Sequence, residues 1–352
     1  MTKTIAIFVK NLTSGGAEKQ AVLLAKSMTH DCKVHFIVFN GYRVHEKYLN
    51  MMDGTEVRVK MFYGSHWNRF TAFVKYLKEE KVDIIFSYLA AADMYASIAG
   101  RIVGCKIFTS LRNSDISKGR QIAGRLMTNV LATGTISNCY SGKDTVVGYG
   151  FNAEKIHVIP NCFETIQPYT AKPNREVVDV ITVGRFVAQK DYEVAIKSIA
   201  EVRKMGAKVH FTIVGWGKME ADIRQWVKQY DIEHNCNIYI NPNNIPELLD
   251  NADIYVSTSW KEGTSNSIME GLNANLPVVA TDAGDNKYLV KDGHNGYICP
   301  IGDVRCIANR IYRLAMDKAL REKFGAKGKE HLKTEYSMEV FRKHYMDIIN
   351  KC

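Results

Sequence analysis

The sequence predicts an α/β protein built from two doubly wound, parallel-sheet domains, and three observations carry that expectation. Short apolar runs alternate with amphipathic helical stretches along the whole chain, the pattern of parallel strands joined by crossover helices and covered on both faces. The chain has 352 residues, long for one core and ordinary for two domains. Residues 162–176 contain Pro168 and Pro173, lack periodicity and separate two such alternations. We therefore expect a first domain over 1–165, a linker over 166–176, a second domain over 177–335 and a terminal segment over 336–352.

In the first domain Ile5, Ala6, Ile7, Phe8 and Val9 form an uninterrupted apolar run and predict a strand over 5–9. Ala21, Leu24, Ala25 and Met28 share one stripe and predict a helix over 17–28. Between them, Gly15 and Gly16 permit a close approach that side chains would block, or simply make a tight turn from strand to helix. No third glycine follows at the offset of a dinucleotide fingerprint, which counts against a nicotinamide enzyme. Further strands are expected over 34–39, 57–62, 82–87, 106–111, 134–137 and 156–159, with helices over 69–80, 92–103 and 122–131. Ser141 lies at the start of another helix, and Pro160-Asn161 ends the last strand. Arg112 and Asn113 follow a strand end, where side chains reach a ligand; Arg112 fits either an anion site or a structural ion pair.

The second domain repeats the alternation. Strands are expected over 178–184, 209–215, 237–240, 254–257 and 277–281, and helices over 192–204, 219–230, 245–251, 265–273 and 307–316, with a terminal helix over 337–349. The apolar run ending at Ser257, Thr258 and Ser259 passes into Lys261-Glu262-Gly263-Thr264-Ser265-Asn266-Ser267, with Ser265, Asn266 and Ser267 opening a helix that carries Glu270. Unpaired N–H groups in a first helical turn attract an anion, so a phosphate fits there with a carboxylate on either side. Carboxylates repel phosphate, so Glu262 and Glu270 should face hydroxyls; a ligand with phosphate in its middle and hydroxyl-rich ends is a sugar nucleotide. Arg185 and Lys190 precede the helix expected from Asp191, the unfavourable end of its dipole for a cation, and a bound pyrophosphate would reverse that sign. Each of these charges taken alone also fits a solvated surface position.

Together these motifs resemble the retaining glycosyltransferases of family 4. The resemblance rests on Gly-Arg-Phe-x-x-Gln-Lys at 184–190, Glu262 and Glu270 eight positions apart, Ser14-Gly15-Gly16-Ala17-Glu18, Ile136-Ser137-Asn138 and Val158-Ile159-Pro160-Asn161. It implies a GT-B fold, with two Rossmann-like domains facing across a cleft and the terminal helix over 336–352 crossing back to the first. It implies a nucleotide-sugar donor and a glycan or lipid-linked acceptor, in cell-surface polysaccharide synthesis. Arg185, Lys190 and Glu262 would be catalytic. Gly15, Gly16, Gly184, Gly215, Gly217, Thr264, Ser265, Asn266, Ser267 and Glu270 would bind the donor, with Glu270 on the ribose. Arg112 and Asn113 are acceptor-side candidates, standing where many members carry a histidine. Asn241-Pro242-Asn243-Asn244 also departs from the usual glycine. A UDP-sugar is the favoured donor and a GDP-sugar the alternative; no cofactor and no metal is expected. A sugar-nucleotide epimerase, a hydrolase using Glu262 and Glu270, and a non-catalytic sugar-nucleotide binder are the rival readings.

Composition narrows the classes. No apolar stretch is long enough to cross a membrane, and the N-terminus reads as a first strand, not a signal peptide. Eight cysteines without a C-x-x-C pair read as reduced thiols of a cytoplasmic protein, and scattered histidines predict no structural metal. The formal charge is +10 and uneven, residues 1–165 holding 21 Lys and Arg against 13 Asp and Glu. With no nucleic-acid motif, that excess suits a peripheral contact with an anionic membrane, at its inner face, or a basic surface with no partner. Residues 67–78 mix aromatics with cations, and Lys118, Arg120 and Arg125 stand near Leu126, Met127 and Leu131. Basic amphipathic helices lie in bilayer interfaces, although an apolar stripe ordinarily faces the core.

Overall fold

The computed structural model describes residues 2–13, 15–112, 116–173 and 175–352. The chain forms two compact units, Met1–Glu164 together with Met338–Cys352, and Thr165–Ser337.

The first unit contains strands β1 (Thr4–Val9), β2 (Lys33–Val38), β3 (Arg58–Met61), β4 (Ile84–Tyr88), β5 (Lys106–Leu111), β6 (Gly134–Ser137) and β7 (Ile156–Val158). All pair in parallel, in the order β3-β2-β1-β4-β5-β6-β7. Ile5, Ile7 and Val9 of β1 pack in one core with the helix Gly16–Met28 and with Phe341 and Tyr345, while Ala6 and Phe8 pack on the other face with Phe73 and Ala96. Burial of alternate residues on opposite faces explains why the strand reads as an unbroken apolar run. The expected helix over 122–131 starts earlier, as Lys118–Leu126, and its last turn, Met127–Leu131, is π-helical, with the Ala132 N–H donating to the Met127 carbonyl. A short helix, Glu46–Asn50, escaped the sequence reading because one turn leaves no periodicity.

The terminal helix Met338–Ile349 completes the first unit. Arg342 forks onto Asp31, with Nε and Nη2 2.5 and 2.6 Å from its two carboxylate oxygens. Tyr345 and Tyr88 share a hydroxyl–hydroxyl hydrogen bond of 3.2 Å, and Phe86 meets Tyr345 edge to face.

The second unit contains β8 (Val178–Arg185), β9 (Val209–Trp216), β10 (Cys236–Ile240), β11 (Ile254–Ser257), β12 (Val278–Thr281) and β13 (Gly296–Cys299), parallel in the order β10-β9-β8-β11-β12-β13. The strand order reverses between β8 and β11, so the crevice of this sheet opens at their carboxyl ends. Three strands or α-helices here were not expected, one of them the one-turn helix Asn286–Leu289. β13 is four residues long and begins with Gly296, where a Cβ would fall 2.1 Å from the Val278 carbonyl oxygen. The helix Lys318–Tyr336 is strongly charged, and its inward face mixes Phe324, Leu332 and Tyr336 with glycine and the cations Arg321 and Lys329. Gly325 lies where a Cβ would meet the Asn275 carbonyl at 2.2 Å, and buried Arg321 donates to the carbonyls of Leu314 and Ala315 at 2.7 and 3.0 Å.

Candidate active site

Gly184 and Gly215 face each other across the ends of β8 and β9, and Arg185 pairs with Trp216. A Cβ on Gly215 would lie 1.9 Å from the Gly184 carbonyl oxygen, so that approach requires glycine. Gly217, at φ +151°, turns the chain against the Phe186 carbonyl, which a Cβ would meet at 2.5 Å. Arg185 is the last residue of β8. Its guanidinium is exposed and makes no hydrogen bond or ion pair among the described residues.

The segment after β8 is stitched to the segment after β11. Thr258 Oγ1 donates to the carbonyls of Lys190 and Asp191 at 3.0 and 2.8 Å, the Trp260 N–H to Gln189 at 3.0 Å, and the Trp260 indole N–H to Ala188 at 3.0 Å. Gln189 Nε2 returns a bond to the Lys261 carbonyl at 2.6 Å. Asp191 sits in the left-handed region at φ +48°, which turns the chain into the helix Tyr192–Lys204.

These ties bring the two motifs together. Lys190 Nζ donates to Glu262 Oε1 at 2.6 Å, and Ser259 Oγ donates to the same oxygen at 2.7 Å. The Glu262 side chain is 9% exposed and that of Lys190 18%. Behind Glu262 the chain passes Gly284, at φ +56°, where a Cβ would stand 2.0 Å from the Glu262 carbonyl oxygen. Glu262 is therefore held at its carboxylate and at its backbone.

The helix that follows is Asn266–Asn273; Ser265, expected as a helical residue, is its N-cap and accepts from the Ile268 N–H at 3.4 Å. The helix packs on Tyr255, whose ring a Cβ on Gly271 would meet at 2.7 Å and whose hydroxyl donates to the Val183 carbonyl at 3.1 Å. Burial pushes the Tyr255 phenol above its ordinary range, offset in part by a hydrogen bond with Ser267, while the charge of Glu270 raises it further. Glu270 thus sits one turn into the helix, half-buried, with Thr264 and Ser265 buried and Asn266 half-buried at its start. One edge of the sheet collects Arg185, Lys190, Glu262 and a helix N-terminus: two cations and a dipole for an anion, and carboxylates for hydroxyls.

The remaining candidates belong to the first unit. Gly15 is the N-cap of Gly16–Met28 at φ −85°, and its carbonyl accepts from Tyr48 at 3.0 Å. The space in front of it is filled by Glu18, whose carboxylate accepts from Thr13 Oγ1 at 2.9 Å and would meet a Gly15 Cβ at 2.3 Å. Arg112 lies 4.7 Å over the Tyr88 ring and donates to Asn161 Oδ1 at 3.0 Å, with no ion pair among the described residues. Asn113 and Ser14 lie outside the described residues.

Three contributors went unnoticed in the sequence. Ser259 and Gly284 support Glu262. Asp93 lies at the ends of β4 and β5, accepting from Ser87 Oγ at 2.6 Å and the Ser110 N–H at 3.1 Å; burial pushes its carboxyl up to about 8, against those two bonds and the Arg112 charge. The small polar residues closing the β11 run were the one signal for Ser259.

Comparison with known proteins bears on the family and the fold. Residues 14–166 match Glycosyltransferase Family 4 and residues 165–331 match Glycosyl transferases group 1. An α-1,4-N-acetyl-D-galactosaminyltransferase of Campylobacter jejuni is 23% identical over 358 residues, 98% of each chain. A poly(ribitol-phosphate) α-N-acetylglucosaminyltransferase of Staphylococcus aureus is 27% identical over 201 residues, 56% of this chain and 38% of that one. With several other curated relatives, among them the putative glycosyltransferase EpsD of Bacillus subtilis at 44%, the match likewise spans about half of their length. The crystal structure of Anabaena HepE in complex with UDP shares the fold at a TM-score of 0.84 and 18% identity, over 99% of this chain and 100% of that one. Two parallel-sheet α/β units, a charged constellation at the switch point of the second, and family matches from residue 14 to residue 331 converge: the chain belongs to the group 1, family 4 glycosyltransferases of GT-B fold.

Proposed function

We propose that this protein is a retaining glycosyltransferase that moves a hexosyl or N-acetylhexosaminyl group from a UDP-sugar to a glycan or lipid-linked acceptor in cell-surface polysaccharide synthesis. The observation that carries the reading is that Arg185, with no hydrogen bond or ion pair among the described residues, the Lys190–Glu262 pair and the N-terminus of Asn266–Asn273 all follow the carboxyl ends of β8 and β11. The HepE structures contain UDP and UDP-glucose, which favours UDP over GDP, and named relatives transfer N-acetylhexosamines.

On this reading the second unit holds the donor. Backbone N–H groups at the helix start and the Arg185 fork bind the diphosphate. Lys190 exchanges Glu262 for a phosphate oxygen, which frees the Glu262 carboxylate for the hydroxyls of the donor sugar, and Glu270 binds the ribose. The bond from the anomeric carbon to the diphosphate breaks as the bond to the acceptor oxygen forms on the same face, and the leaving phosphate takes the acceptor's proton. Arg185, Lys190 and the helix dipole supply the positive field, so no metal or other cofactor is needed. Arg112 binds the acceptor in the first unit, and a lipid-linked acceptor sets the enzyme at the inner face of a membrane.

Thermal unfolding against UDP, GDP and ADP tests the donor site. UDP at a hundred times its dissociation constant stabilises by about 2.7 kcal/mol, a rise of about 5 to 10 °C, and Glu270→Ala loses that rise. A rise with ADP or GDP alone contradicts the UDP assignment, and no rise with any nucleotide contradicts the transferase reading. In turnover assays Arg185→Ala lowers kcat more than it weakens donor binding; equal losses would remove its role at the leaving group.

A further inference from the structure

The first unit presents two stripes of large apolar side chains to solvent. On the helix Ala90–Val103, Met94, Ile98 and Ile102 are 47%, 46% and 52% exposed at successive turns, while Ala92, Ala96 and Ala99 face the core. On Lys118–Leu126 and its π-helical extension, Ile122, Leu126 and Val130 are 63%, 55% and 55% exposed, again at successive turns. The helix Lys118–Leu126 buries none of its residues. An amphipathic helix of a globular protein turns such a stripe inward; here both stripes point out.

The two stripes form one surface. Arg101 donates to the carbonyls of Leu131 and Val130 at 2.9 and 2.6 Å, which fixes the two helices side by side. Beyond them, Ile102 lines a groove of about 560 Å³ with Trp67, Phe70 and Val74 of the helix His66–Glu79. Trp67 at its rim is 72% exposed.

The charge on this surface has one sign. Lys118, Arg120 and Arg125 are exposed on the second stripe's helix, and no Asp or Glu occurs from residue 116 to residue 143. The only acid of Ala90–Val103 is the buried Asp93, and Glu79 pairs with Lys75 at 3.7 Å. A second copy docking through the same face would press these cations together. Exposed apolar ridges framed by cations match a bilayer interface with anionic headgroups, which takes the side chains and neutralises the charge.

We propose that this face of the first unit, the Met94–Ile98–Ile102 and Ile122–Leu126–Val130 ridges with Lys118, Arg120 and Arg125, docks on an anionic lipid bilayer. It specifies the membrane contact of the function proposed above, and does not depend on which sugar is moved or on transfer itself.

The test is co-sedimentation of the full chain with vesicles of phosphatidylcholine alone or with one third phosphatidylglycerol, at low and high salt. The chain sediments with the anionic vesicles at low salt and is released from them by salt. Lys118→Glu/Arg120→Glu/Arg125→Glu reduces partitioning by at least about a hundredfold, from about 1 kcal/mol for each cation. Ile98→Ser/Ile122→Ser/Leu126→Ser also loses binding at low salt; all three residues are exposed, so an unchanged unfolding temperature confirms the fold. No sedimentation of the unaltered chain, equal binding to neutral vesicles, or full binding by the serine variant overturns the proposal. So does a dimer of the unaltered chain that the serine variant dissolves, since a second copy then covers the face. UDP-induced stabilisation, measured in parallel, separates failure here from failure of the transferase reading.

Discussion

Ser259 shares with Lys190 the task of holding the Glu262 carboxylate. It is fully buried, donates to Glu262 Oε1 at 2.7 Å, and has its own carbonyl bonded by Thr281 Oγ1 at 2.5 Å. A hydrogen bond to a charged group contributes about 1.5 to 3 kcal/mol. Ser259→Ala should therefore lower kcat about tenfold or more with little change in donor KM, because it frees the carboxylate to turn without removing it. A parallel fall in thermal stability with kcat intact would make the bond structural only. Asp93 provides a second residue-scale prediction. Its carboxyl titrates at about 8 in the folded chain, against an ordinary 3.8, because it is fully desolvated. The folded state then holds one more proton than the unfolded state between those values, and stability falls as pH rises from about 4 to about 8, by at most about 1.4 kcal/mol per pH unit. The amide oxygen of Asp93→Asn can accept the same two bonds, so the variant should flatten this slope; urea midpoints at pH 5 and pH 8 measure it, and an unchanged slope contradicts the assignment.

At the scale of elements, the site is made by two strand-end segments and the glycines that let them approach. Gly284→Ala places a Cβ 2.0 Å from the Glu262 carbonyl oxygen and forces a left-handed backbone on alanine. We expect a stability loss of about 1 kcal/mol or more and a larger loss of turnover, since Glu262 must shift. Turnover unchanged at a lowered unfolding temperature would separate the glycine from the site. The same elements show how far sequence reading reaches. The run before Ser257 announced β11, and the residues after it announced a polar strand end. The helix Lys318–Tyr336 gave no such signal, because Gly325 and Arg321 stand where apolar side chains were sought. The Lys118–Leu126 helix misleads in the other direction, its stripe having the period of a core-facing helix and no buried residue.

At the scale of the whole molecule, the last helix is separated from its partners by most of the chain. Asp31 and Arg342 are 311 residues apart in sequence, and the guanidinium holds the Asp31 carboxyl below its ordinary range, chiefly by hydrogen bonding and against a desolvation that raises it. That pair is partly exposed, so its own contribution is small and is present above the unfolded carboxylate value and lost as pH falls through the folded one. The apolar contacts matter more: Phe341, Tyr345, Ile348 and Ile349 belong to the core of the first unit. Truncation after Ser337 should expose Phe86 and Tyr88 and unfold that unit while Thr165–Ser337 keeps its cooperative transition. Limited proteolysis with calorimetry distinguishes the two; retention of a native first unit would mean that the helix is dispensable.

What the sequence determined by itself is the alternation of parallel strands and helices and the identity of the charged residues at the strand ends, because burial on both sheet faces and glycine at close approaches are written in local patterns. Only the tertiary structure decided that Lys190 and Glu262, 72 residues apart, share one hydrogen bond with Ser259 beneath them, that Asp93 is buried, and that the ridges of the first unit face outward. Those facts depend on which strands become neighbours and what covers each helix, and a hydropathy period fixes a residue's side of an element without naming what lies against that side.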